Sequence, residues 1–176
     1  MIHNVKKVLA PIDFSEPSMK AMASAWELAK EVDATELHLL HVVTPHHLLG
    51  IESLPVGGRE IAREASMIEQ AEEELIRIKK DNLENSKKVI TATIVGSPAI
   101  KVGEYAREQG IDLIVMSTHG RSGLDRPWLG SVALKVVQTA SWPVLLVRAK
   151  ERVEQYALDR SSHKHVARAR SVLAAT

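Results

Sequence analysis

Cysteine is absent from this 176-residue chain, which excludes disulfides, thiolate nucleophiles and cysteine-ligated zinc and fits a reducing compartment. Aromatic residues make up 3%, too few to build the stacking platforms that hold single-stranded nucleic acid, so the core must come from Leu, Ile, Val, Ala and Met. Neither sign of charge dominates. The 23 basic and 22 acidic residues leave a net charge of +1, without the basic excess of a nucleic-acid binder. No apolar run approaches the ~20 residues of a membrane span, and the opening MIHNVKKVLAPID turns polar too soon for a signal peptide. A cytoplasmic protein is expected, with neither a membrane nor nucleic acid as partner. Catalytic signatures are missing as well: there is no Gly-x-Ser-x-Gly elbow, no Walker-type phosphate loop, and no Gly-x-Gly-x-x-Gly after the first strand.

What the chain does have is 45% hydrophobic content, enough for one α/β domain and too little length for two ordinary ones. Val5 to Ile12 reads as a buried strand ending at Asp13. Ser15 is a plausible N-cap for a helix that tolerates Pro17 in its first turn and ends at Ala34, with Met19, Met22, Ala23, Trp26 and Ala29 on one face. Glu36 to Val43 is a second strand, and Thr44 to Gly58, with two prolines and the pair His46 and His47, reads as a loop. A long helix from Arg59 to about Leu83 carries opposite charges at three- and four-residue spacing, the mark of a solvated face. Val89 to Val95 is a third strand. Gly96, Ser97 and Pro98 then supply loop, cap and first helical position for a helix stopped by Gly110. Leu113 to Ser117 is an apolar fourth strand, Ser131 to about Thr139 a further helix, and Val144 to Arg148 a fifth strand.

Alternating strands and helices imply a single doubly wound domain: a five-stranded parallel sheet with helices on both faces. If the strand order is 3-2-1-4-5, the crevice where the winding reverses falls beyond the carboxyl ends of the first and fourth strands. The loops there carry Asp13 and the run Ser117, Thr118, His119, Gly120, Arg121, Ser122 and Gly123. The helix that opens at Ser131 has no acidic side chain in its first turn, so its unpaired amides and positive dipole end favour an anion. Gly130, Ser131, Val132 and Ala133 therefore read as a phosphate seat. The first helix carries Glu16 in its first turn and is a poor one. Asp13 either accepts from a bound adenosine or caps the turn into the first helix. His119 either touches a phosphate or bonds its own loop. His38 and His41, three apart on a strand, point to opposite faces and share no metal; no metal site is assigned to them, to His46 and His47, or to His163 and His165.

Over about Val5 to Ala149 the chain resembles the universal stress protein family. The matching segments are AlaProIleAsp, LeuHisLeuLeuHisVal, ThrHisGlyArgSerGly followed by GlySerValAla, and ProValLeuLeuValArg. The nucleotide-binding branch of that family carries Gly, two residues, Gly, nine residues, then Gly with Ser or Thr. Gly120, Gly130 and Ser131 fit this spacing, and Ser117 stands where the first glycine belongs. The resemblance implies ATP or AMP as ligand; Asp13 would repel phosphate unless a divalent metal such as magnesium lay between them. It implies that Pro11, Asp13 and Val42 hold the adenosine end, and that Ser117, His119, Gly120, Gly130, Ser131, Val132 and Ala133 hold the ribose and phosphates. It also implies a homodimer through the strand Val144 to Arg148 and a stress-response switch, while the missing catalytic signatures leave at most a weak ATPase. The alternative is a dimeric interaction module of the same fold that binds no nucleotide, its pocket crowded by the Ser117 side chain. Residues 150–176, outside the resemblance, form a charged extension to a domain at 1–149.

Overall fold

The computed structural model describes residues 5–45, 58–83, 88–119 and 129–148. Five strands, β1 (Lys7–Pro11), β2 (Glu36–Val43), β3 (Lys88–Val95), β4 (Leu113–Ser117) and β5 (Val144–Val147), alternate with four helices, α1 (Glu16–Glu31), α2 (Gly58–Asn82), α3 (Pro98–Gln109) and α4 (Ser131–Thr139). All strand pairs are parallel, in the order β3-β2-β1-β4-β5. The expected topology is therefore the observed one. β1 lies in the middle, pairing with β2 on one side and β4 on the other, so the winding reverses between β1 and β4 as the sequence suggests.

Alternation along each strand sends apolar side chains to both faces, and the core divides accordingly. On one face Val8, Ala10, Leu37, Leu39 and Val115 pack under Met22, Ala25, Trp26 and Ala29 of α1 and Leu75 and Ile78 of α2. On the other, Leu9, Leu40, Ile114 and Met116 pack under Val102, Tyr105 and Ala106 of α3 and Ala133 and Val136 of α4. The helices take their places through local signals. Ser15, extended at φ −77°, accepts from the Ser18 amide to cap α1, and Gly110 ends α3 in the left-handed conformation at φ 64°, where glycine carries no Cβ penalty.

Element ends differ modestly from the sequence reading. β1 spans Lys7–Pro11 rather than Val5 to Ile12, because Ile12 has left the ladder while its amide still donates to the Leu40 carbonyl (2.8 Å). α1 stops at Glu31 rather than Ala34: Asp33 takes a left-handed φ of 52° and turns the chain into β2. β5 ends at Val147, one residue before Arg148, while α2 and β3 each begin one residue earlier than expected, at Gly58 and Lys88. His46, His47, Gly120 and the extension 150–176 lie outside the described residues. Among the described residues no helix is long and apolar enough to cross a membrane.

Candidate functional site at the carboxyl ends of β1 and β4

At the end of β4 the chain turns sharply and is tied to its neighbours on both sides. The Ser117 hydroxyl donates to the His119 carbonyl (2.6 Å), and Thr118 Oγ1 meets His119 Nδ1 at 2.9 Å. The Thr118 amide donates to Val147 of β5 (3.0 Å), and its carbonyl accepts from the Gly130 amide (2.6 Å). This last bond brings the start of α4 against the end of β4. Residues far apart in sequence, Ser117 to His119 and Gly130 to Ala133, are thereby assembled into one place.

Gly130 is the N-cap of α4, with extended backbone at φ −66° and ψ 155°; among the described residues no side chain caps the helix, and its first turn holds no acidic residue. Ser131 is exposed, Val132 half-buried and Ala133 buried against the sheet. The first amides of a helix have no partner within it, and the positive end of the helix dipole lies with them. α3 also opens without an acidic residue or a side-chain cap, so charge alone separates α4 from α1 but not from α3. Two other features do. Pro98 at the start of α3 has no amide to offer, and α3 follows the outer strand β3, whereas α4 follows β4 at the switch point.

On the neighbouring strand, Pro11 closes β1 and Asp13 sits in the turn to α1. The Asp13 carboxylate accepts from the Ser15 amide at 3.1 Å and from the Ser15 hydroxyl, while the Asp13 amide donates to Ser18 Oγ (3.3 Å). Asp13 thus does cap the turn, which fixes the direction of its carboxylate. Val42 of β2 belongs to the face covered by α3 and α4. Of the two histidines on β2, His38 is fully buried, whereas His41 lies on the α1 face, stacked on Phe14 with ring centroids 4.4 Å apart. They point away from one another, as their spacing requires. Among the described residues no group of three or more His, Cys, Asp or Glu side chains could hold a metal ion.

The opposite end of the sheet, at the amino ends of the strands, carries a polar network that the sequence did not disclose. His38 Nδ1 meets the Tyr105 hydroxyl at 2.9 Å and Nε2 meets Glu36 at 3.1 Å, while Lys88 and Lys7 approach the same carboxylate at 2.9 and 3.3 Å. Lys88 first, then His38, hold the Glu36 carboxyl down to about 2. Burial holds His38 below its ordinary value, even against the pull of Glu36, and burial pushes Tyr105 up. An ionised Glu36 only accepts, so Nε2 of neutral His38 donates and Nδ1 accepts from Tyr105. The signal that could have found it is the pair Glu36 and His38, two apart on one strand; the long-range partner Tyr105 left no local trace. A surface groove beside Met22, Trp26, Glu27, Glu31 and Leu83 shares no residue with the strand-end site.

Comparison with known proteins agrees with this architecture. The model of the universal stress protein family matches residues 4–148. Universal stress protein MJ0531 of Methanocaldococcus jannaschii is 37% identical over 147 residues, covering 84% of each chain. The solved structure of MJ0577 from the same organism superposes with a TM-score of 0.69 at 30% identity, covering 84% of this chain and 98% of that one. The structure of a universal stress protein from Archaeoglobus fulgidus in complex with dAMP shares the fold at a TM-score of 0.52 and 20% identity, covering 83% and 98%. With the sheet order, the switch-point turn and the family match in agreement, the chain belongs to the universal stress protein family.

Proposed function

We propose that this protein binds an adenine nucleotide, ATP or AMP, beyond the carboxyl ends of β1 and β4, and acts as a nucleotide-dependent switch in a cytoplasmic stress response. The observation that carries the reading is the start of α4: a helix N-terminus that no side chain among the described residues caps, with no acidic residue in its first turn, held to β4 by the Gly130 to Thr118 hydrogen bond. Gly130, Ser131, Val132 and Ala133, with Gly120, take the phosphates. Ser117 and His119 complete the ribose and phosphate side, and Pro11, Asp13 and Val42 receive the adenosine. With the triphosphate bound, Asp13 would hold a magnesium ion together with the phosphates, and the ion would offset the repulsion between them. The dAMP complex of a relative with this fold makes the adenine nucleotide the natural first probe.

The reading assigns binding rather than turnover to the site, with slow ATP hydrolysis the most these residues support. The domain occupies residues 1–149, and 150–176 is a charged extension. Leu145 on β5 is exposed at the sheet edge, and Leu134 and Val137 are exposed on α4. An open hydrophobic edge invites a second strand, so the partner is a second copy pairing along Val144 to Arg148.

Nucleotide released by boiling the purified protein, together with an ATP titration with and without magnesium, tests the proposal. Carry-over or binding up to the millimolar range is expected; absence of both refutes it. Ser117 favours one second reading, an interaction module without nucleotide, because its side chain stands at the strand end where the family motif has glycine. Binding gained only by Ser117→Gly supports that reading.

A further inference from the structure

Phe14 is the residue between Asp13 and the cap of α1, and its backbone lies in the left-handed region at φ 63°. For a bulky side chain this conformation is strained and persists only where its surroundings impose it. The surroundings here come from β2. Both backbone groups of Ile12 are held by that strand: its amide donates to Leu40, and its carbonyl accepts from His41 Nδ1 at 2.8 Å. The His41 ring then stacks on the Phe14 ring, 4.4 Å between centroids at 29°, and Phe14 rests on the core beneath α1. One residue earlier, the Asp13 carboxylate is turned by Ser15. One side chain thus fixes the chain just before Asp13 through a hydrogen bond and just after it through a ring.

We infer that His41 and Phe14 form a clamp behind the sheet that holds the β1 to α1 turn in its left-handed form and so aims Asp13 at the ligand, making both of them positioning residues. The inference rests on the nucleotide reading for the ligand, while the clamp itself rests on geometry alone. His41 and Val42 are adjacent on β2, so their side chains leave opposite faces. Val42 faces the α3 and α4 side and His41 works from behind. The strain at Phe14 explains why a ring is needed: with nothing to lean on, the turn relaxes towards negative φ and swings the carboxylate away.

A double-mutant cycle tests the clamp. His41→Asn keeps a donor near the Ile12 carbonyl and removes the ring; Phe14→Gly makes the left-handed conformation free of Cβ strain. His41→Asn alone should weaken ATP binding by about fivefold, the value of one stacked aromatic pair, and lower the urea midpoint. In the Phe14→Gly background the same change should alter neither. Equal penalties in both backgrounds overturn the clamp. If Phe14→Gly does not fold, the amide-to-Hα coupling of Phe14 decides: a φ unchanged by His41→Asn overturns the inference, and one that moves to negative values supports it. Failure of the wild-type protein to bind ATP refutes the nucleotide reading and the aiming of Asp13 with it, while the urea cycle, which needs no nucleotide, still decides whether the clamp holds the turn.

Discussion

The two ends of the sheet treat polar groups in opposite ways. At the amino ends of the strands, Glu36 gathers Lys7, Lys88 and His38, and Tyr105 completes the imidazole's bonding. Asp112, where β4 begins, accepts from the amides of Lys6 and Lys7 at 2.8 and 2.9 Å. Charge there is consumed by charge. At the carboxyl ends, no side chain among the described residues closes the start of α4, and the turn beside it is built from bonds within Ser117, Thr118 and His119. A buried polar group left unpaired costs more than a net hydrogen bond gains, so a protein satisfies such groups wherever nothing else is required of them. The contrast separates a structural end from the end proposed here for recognition.

The largest expected effect lies at the structural end. His38→Ala removes a fully buried ring and leaves the Tyr105 hydroxyl without its partner, a change expected to cost about 3 to 4 kcal/mol. Tyr105→Phe, which removes only the donor, is expected to cost about 1 to 2 kcal/mol. The pH dependence has a definite sign. Because the folded state holds His38 below its unfolded value of 6.5, the unfolded chain binds the proton more readily. The contribution is complete above pH 6.5 and is lost as pH falls from there through the lower folded value. Glu36, held to about 2 against an ordinary 4.5, adds a second loss as pH falls through that interval. Urea unfolding followed from pH 8 downwards should show the first slope in the wild type and a smaller one in His38→Ala. Equal slopes would mean that His38 is not the proton acceptor.

The recognition end should respond in the opposite sense. Ser131→Asp places a carboxylate on the first turn of α4, where it complements the dipole and raises stability by about 0.5 kcal/mol. On the proposed function the same charge meets the phosphates, and ATP binding should fall on the order of 100-fold through like-charge repulsion. Calorimetry beside thermal unfolding reads both signs. A variant that is more stable and binds ATP unchanged would move the phosphates away from α4.

The difference between the two ends also explains what the sequence could disclose. The parallel doubly wound sheet follows from the alternation of strand and helix signals, and the α4 start from Gly130, Ser131 and the missing acidic residue, all of them local. His38 and Tyr105 lie 67 positions apart, and nothing near either residue announces the other. The left-handed Phe14 was equally hidden, because positive φ is expected of glycine and the sequence puts a phenylalanine there. Asp13 was readable as both cap and ligand group, and its bonds to Ser15 establish the cap. Conformation imposed by tertiary packing escapes local reading, whereas a feature that arises within one turn of helix does not.

The smallest predicted effect sharpens the comparison at a single atom. Thr93 is the register partner of His41 on β3, and among the described residues its hydroxyl is the buried side-chain polar atom with no hydrogen-bond partner. Every polar side chain of the network around Glu36 is paired, so an orphan towards the carboxyl end of β3 follows the same division. Thr93→Val replaces the hydroxyl with a methyl group of similar shape and removes the desolvation cost, with an expected gain of about 1 kcal/mol. For a domain of this size that is a rise in Tm of about 2 to 4 °C. A fall in Tm instead would show that the hydroxyl is bonded in solution, and would bring Thr93 into line with the structural end of the sheet.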